Sequence, residues 1–156
     1  MIYYSVGFAR ILVCLDGSDS SFKAADLAID VAKKHGAQLM AVNVFISQVG
    51  YAYSAGMFGL PTPSAINELL DKSKQEAEAW FDRVRAKARE QGVSVKTEVI
   101  ASPTSAVPAI TEYAEQNKVD LIVTGTKGRS GFKKLLLGSV ASGIVTYASC
   151  PVLISK

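Results

Sequence analysis

A chain of 156 residues is long enough to bury a full core and fits one folded domain. With 49% hydrophobic and 20% charged residues it is globular, not disordered. A net charge of +3, with no Lys/Arg block and no apolar run of about 18 residues, argues against a polycationic nucleic-acid binder and against a membrane span.

Residues 1–9 are an apolar, aromatic lead without a basic n-region, so no signal peptide is expected and a cytoplasmic location is. Arg10 to Leu15 is a short continuous apolar run, as in a strand buried on both faces. Asp16-Gly17-Ser18-Asp19-Ser20-Ser21 turns the chain and caps a helix that runs to about His35. Ala24, Ala25, Ala28, Val31 and Ala32 form its inner face, and Gly36 stops it. His35 is the only histidine. A base or ligand role is conceivable, but its place in the last helical turn favours a dipole-stabilising one.

Gln38–Ile46 reads as the second strand. Residues 47–63 then show neither helical nor strand period; a loop this long is a lid, a partner surface or a disordered insertion. From Pro63 or Ser64 the longest helix extends to about Gln91. Its inner face is Ile66, Leu69/Leu70, Ser73, Ala77, Trp80/Phe81, Val84 and Ala88, with Trp80 read as core before stacking platform. Gly92 ends it.

Val93–Ile100 alternates with period two, which marks a half-exposed edge strand. Ser102-Pro103-Thr104-Ser105 starts a third helix with Ala106, Ala109, Ile110, Tyr113 and Ala114 inward. Val119–Val123 is a buried strand, a fourth helix runs from Gly138 or Ser139 to about Ala148, and Cys150–Ser155 closes the chain as a last strand. Cys14 and Cys150 lie in or beside apolar runs and read as small buried hydrophobes in a reducing compartment.

Strands alternating with helices imply an α/β fold with a parallel sheet, helices on both faces and right-handed crossovers. Ligands of such sheets bind beyond the strand C-terminal ends where strand order reverses. If the first and fourth strands are neighbours, Asp16-Gly17-Ser18 faces the run Thr124-Gly125-Thr126-Lys127-Gly128-Arg129-Ser130-Gly131. That run and the helix start at Gly138-Ser139-Val140 are a phosphate cradle built from backbone N–H groups, or a loop that uses glycine only to turn. No P-loop pattern, no Gly-x-Gly-x-x-Gly after the first strand and no Gly-x-Ser-x-Gly occurs. One histidine and two distant cysteines make neither a catalytic triad nor a structural zinc site.

The pattern Gly125-x2-Gly128-x9-Gly138-Ser139 resembles the ATP-binding signature of the universal stress protein family. The opening strand with Asp16-Gly17-Ser18, the run Gly131–Val140 and the ending Ser149–Ile154 are similar to that family too, so the resemblance covers Arg10 to Lys156. It implies a five-stranded, flavodoxin-like sheet of the adenine nucleotide alpha hydrolase type, strand order 3-2-1-4-5, in a homodimer joined through the last strand.

It also implies ATP, or AMP or ADP, in the crevice. Asp16, Gly17 and Val44 would sit by adenine or ribose. Thr124, Gly125, Thr126, Gly128, Arg129, Gly138, Ser139 and Val140 would surround ribose and phosphates. Lys127, Lys133 and Lys134 add charge, and Mg²⁺ would enter through the phosphates. The implied function is an ATP-binding stress-response or signalling protein with at most slow hydrolysis, its signalling partner unnamed by the sequence. Two other readings stay open. One is a dimeric interaction module whose 47–63 loop carries the function. The other is a nucleotide-using enzyme, for whose second substrate pocket the chain has little room.

Overall fold

The computed structural model describes residues 7–47, 62–127 and 137–156. Five strands, β1 (Arg10–Cys14), β2 (Gln38–Ile46), β3 (Val95–Ser102), β4 (Leu121–Gly125) and β5 (Val152–Ser155), pair in parallel in the order β3-β2-β1-β4-β5. Four helices alternate with them among the described residues: α1 (Asp19–His35), α2 (Pro63–Glu90), α3 (Ala106–Gln116) and α4 (Ser139–Tyr147). Fold class and strand order are those expected.

The central strands are largely apolar because helices cover both faces. Ile11, Val13 and Leu15, Leu39 and Ala41, and Leu121 and Val123 meet Ala24, Ala25, Ala28 and Ala32 of α1 and Ala77, Phe81, Val84 and Ala88 of α2. The alternate residues Leu12, Met40, Val42 and Ile122 meet Ile110, Tyr113 and Ala114 of α3 and Ile144 of α4. This is the two-residue period of a strand, and the alanines of α1 let that helix lie close to the sheet. Phe81 heads the fully buried side chains, each worth roughly 1.5–3 kcal/mol in removed apolar surface.

Several boundaries differ from the expected ones. β4 spans Leu121–Gly125 rather than 119–123, since Thr124 and Gly125 still pair with Ile154 and Ser155, and β5 begins at Val152 rather than at 150. β3 starts and ends two residues later than residues 93–100, because its register on β2 runs from Leu39↔Val95 to Ile46↔Ser102. α3 therefore begins at Ala106 rather than at 102–105, and Ser102 instead closes the turn by donating from Oγ to the Ser105 carbonyl at 2.8 Å. The apolar face of α2 is only half used: Ala77, Phe81, Val84 and Ala88 are buried, but Leu69 is 54% exposed. A helix of 28 residues is about 42 Å long, whereas nine-residue β2 covers about 30 Å, so the first turns of α2 reach past the sheet.

β3 is an edge strand with alternating burial, as its period indicates. His35 occupies the last turn of α1, where its Nδ1 accepts from the Phe8 N–H at 3.4 Å and its ring meets Phe8 edge-on. Trp80 is half-buried against the α1–α2 core. Both cysteines are free and half-buried at the margin of the other core. The stretch 47–63 lies outside the described residues except at its ends. There Ser47 donates to the Ser102 carbonyl at 3.0 Å and Thr62 caps α2. No helix among the described residues is long and apolar enough to cross a membrane.

Candidate functional site

β1 and β4 are neighbours in register Ile11↔Leu121 to Val13↔Val123, while the chain leaves β1 for the α1 face and β4 for the α4 face. Their C-terminal ends therefore part, and a cavity of about 140 Å³ opens between them. Five elements supply its wall. Asp16 comes from the β1 end, Asn43 and Val44 from β2, Ala106 and Ile110 from α3, Thr124 to Lys127 from β4, and Gly138 to Ala141 from the start of α4.

Local sequence explains each placement. Asp16 folds back on its own turn: its Oδ1 accepts from the Ser18 N–H at 3.0 Å and from the Ser18 hydroxyl at 2.5 Å. Ser18 in turn caps α1, its Oγ accepting from the Ser21 N–H at 3.1 Å. Gly17 makes this turn possible with φ +79°, a left-handed conformation, and a Cβ there would lie 2.5 Å from the Trp80 ring. Asn43 is buried and donates from Nδ2 to the Leu15 carbonyl at 2.8 Å, while Leu15 N–H reaches the Val42 carbonyl at 2.8 Å. These two bonds hold the β1 and β2 ends together beneath the cavity.

The β4 end is held by close approach. A Cβ on Gly125 would sit 2.7 Å from the Ser20 carbonyl oxygen and nearer still to the Ser20 hydroxyl. This glycine serves the contact with α1, not an unusual φ. Thr126 donates to the Ser155 carbonyl at 3.1 Å, and Gly138 donates to the Thr126 carbonyl at 2.6 Å. The second bond brings the α4 start against the β4 end.

The two helix starts here differ. α1 is closed by the Ser18 side chain and carries Asp19 in its first turn. α4 has Gly138 at its N-cap and no capping side chain. The N–H groups of Ser139, Val140 and Ala141 have no partner within the helix and belong to residues of the cavity wall. The aligned dipoles add about half a positive charge at that end. The same wall carries the Asp16 carboxylate and the apolar side chains of Val44, Ile110 and Val140. Such a cavity can take an anion at one end, hydroxyls at the Asp16 end and a flat apolar group between. The Cys14 thiol also lines it. Burial, and secondarily the Asp16 charge, push its pKa up to about 12, so it is a protonated wall and not a nucleophile.

Of the residues expected at the site, Asp16, Val44, Thr124, Gly125, Thr126, Gly138, Ser139 and Val140 all line this one cavity. Gly17 does not: it stands beside the wall and shapes the turn under Trp80. Gly128 and Arg129, like Lys133 and Lys134, fall outside the described residues. Sequence reasoning missed Asn43, although one polar residue inside the apolar run Leu39–Val44 is the signal that could have found it. Ala106 and Ile110 were expected on the inner face of α3, and the chain folds that face partly onto the cavity.

Residues 7–156 match the family model described as "Universal stress protein family". A universal stress protein of Methanocaldococcus jannaschii is 39% identical over 155 residues, covering 96% of this chain and 82% of that one. One of Bacillus subtilis is 35% identical over 150 residues, covering 96% and 99%. Among solved structures, the universal stress protein UspA from Lactobacillus plantarum superposes with a TM-score of 0.80 at 26% identity, covering 96% and 99%. Two structures that share the fold are complexes: a universal stress protein with cAMP (TM-score 0.63, 24% identity, covering 96% and 98%) and one from Archaeoglobus fulgidus with dAMP (0.64, 20%, covering 96% and 98%).

Proposed function

This chain belongs to the universal stress protein family, and we propose that it binds ATP, or its di- or monophosphate, in the crevice between the ends of β1 and β4. The observation that carries this is the pairing of an uncapped α4 N-terminus with the Asp16 turn across one cavity. Phosphates take the free N–H groups of Ser139 to Ala141 and the Ser139 hydroxyl, where the helix dipole favours anions. The Asp16 carboxylate accepts from ribose hydroxyls and repels phosphate, which sets the polarity of the ligand. The adenine ring lies against Val44, Ile110 and Val140. Relatives of this fold in complex with cAMP and dAMP support an adenine nucleotide as the occupant.

Magnesium, where present, is held by the phosphates, since Asp16 is the one carboxylate on the wall among the described residues and is already engaged with Ser18. Of the wall's side chains none is a histidine and the thiol is kept protonated, so the site binds rather than rapidly cleaves, in keeping with a stress-response or signalling role. A homodimer through the outer edge of β5 belongs to the same reading. On α4, Val145 and Tyr147 are 51% and 71% exposed.

Titration calorimetry with ATP, ADP and AMP tests the site. Micromolar to sub-millimolar binding of at least one is expected, and binding weaker than millimolar for all three removes the proposal. Sustained turnover above about 1 s⁻¹ would instead mark an enzyme. Sedimentation velocity across a concentration series reads the dimer.

A further inference from the structure

Away from the crevice, edge strand β3 and helix α3 enclose a second cavity of about 380 Å³. Glu98, Glu112, Tyr113 and Gln116 line it, and Pro103 and Pro108 give it apolar walls. Neither Glu98 nor Glu112 forms an ion pair among the described residues. Two unpaired carboxylates at one place make a local acidic site on a chain whose net charge is +3.

Tyr113 adds a second observation. It is 8% exposed, and its hydroxyl has the Glu98 carboxylate beside it but forms no well-aligned hydrogen bond among the described residues. Buried polar groups are nearly always bonded, and an unbonded one costs folding free energy. Burial first, then the neighbouring Glu98 charge and the contact of the hydroxyl with that carboxylate, push its pKa up to about 12, so the phenol stays protonated at neutral pH. It can give its proton to a carboxylate and accept an N–H from a ligand at once.

The cavity also adjoins an open sheet edge. β3 has a neighbour only on its β2 side among the described residues, and such an edge accepts an added extended strand. No group of three or more His, Cys, Asp or Glu that could hold a metal ion occurs among the described residues, and proline walls suit an aliphatic stem rather than a hydrated metal ion.

We propose that this groove docks an extended segment of a partner polypeptide that carries an arginine or lysine. The segment's backbone pairs with the outer edge of β3. The cationic head donates to Glu98, Glu112 and the Tyr113 hydroxyl, and its aliphatic stem lies against Pro103 and Pro108. This does not depend on nucleotide in the other cavity.

The test uses the ¹⁵N-labelled full chain and three probes: a five-residue β-prone peptide with a central arginine, the same peptide with neutral citrulline, and methylguanidinium alone. The arginine peptide is expected to shift amide resonances from Glu98 to Thr104 and along α3, and to bind about tenfold more tightly than the citrulline peptide, as the loss of a charge-assisted contact implies. Glu98→Gln and Glu112→Gln, both at exposed positions that leave the core intact, should each weaken it several-fold, and Tyr113→Phe likewise. Equal binding of the two peptides, shifts confined to other surfaces, or unchanged affinity in both glutamine variants overturns the proposal. Methylguanidinium binding as tightly as the peptide would also overturn it, in favour of a free organic cation.

Discussion

Replacing Gly125 by alanine probes the crevice at its narrowest support. Gly125 ends β4 with an ordinary strand φ, so alanine meets no backbone strain of its own. Its Cβ, however, would stand 2.7 Å from the Ser20 carbonyl oxygen and 2.8 Å from the Ser20 carbonyl carbon. Ordinary contacts begin near 3.4 Å, so strand and helix must part by about 0.7 Å in a close-packed interior. Overpacking of this kind costs roughly 1–3 kcal/mol. For a chain of this size each kcal/mol moves Tm by about 2–4 °C, which predicts a drop of roughly 2–12 °C. The displaced elements carry Asp16 on one side and Thr126 on the other, so nucleotide affinity should fall with stability. Thermal unfolding followed by circular dichroism, with ATP calorimetry on the same sample, reads both. Ser20→Ala in the same chain removes the hydroxyl but not the carbonyl and should restore only part of the loss. A Gly125→Ala protein with unchanged Tm and unchanged affinity would refute the close-approach argument. Full rescue by Ser20→Ala would place the clash on the hydroxyl alone.

Gly17→Ala should cost roughly 1–3 kcal/mol, since it combines a left-handed φ of +79° with a Cβ 2.5 Å from the Trp80 ring. Trp80 is the only tryptophan, so its fluorescence should shift as the stability falls. Asn43→Ala removes the donor to the Leu15 carbonyl and leaves that buried acceptor unpaired; a loss of about 1–3 kcal/mol is expected in urea unfolding, and none would mean the β1–β2 ends need no such tie. The Cys14 thiol sets an alkaline limit. Its pKa is raised from 9.0 to about 12, so below pH 9 its contribution to stability is complete. Above that the unfolded chain loses a proton that the folded chain keeps, and stability falls by up to about 1.4 kcal/mol per pH unit. Tm measured from pH 8 to 11 should decline, less steeply in Cys14→Ala, and equal slopes would show that the thiol is not the titrating group.

The order of strands and helices was legible in the sequence because it is written in local terms. Ile11–Leu15 and Leu121–Val123 are continuous apolar runs, α1 has alanines at helical spacing and an explicit cap, and the alternation near Val93–Ile100 declared an edge. The family resemblance also named eight residues that the fold brings to the wall of one cavity. What tertiary structure alone decided is whatever depends on a contact between distant segments. Where β3 begins is set by its register on β2, not by its own alternation. The first turns of α2 stay unburied because the sheet beneath them ends. Gly17 and Gly125 look alike as loop glycines, yet one yields to Trp80 and the other to Ser20, partners 63 and 105 residues away in the chain. Tyr113 reads as an ordinary core residue of α3 until β3 brings Glu98 beside its hydroxyl. Local periodicity determines which segments are strands and helices, because it is fixed by backbone geometry. Which side chains meet at a site is decided only when the sheet order brings remote ends together.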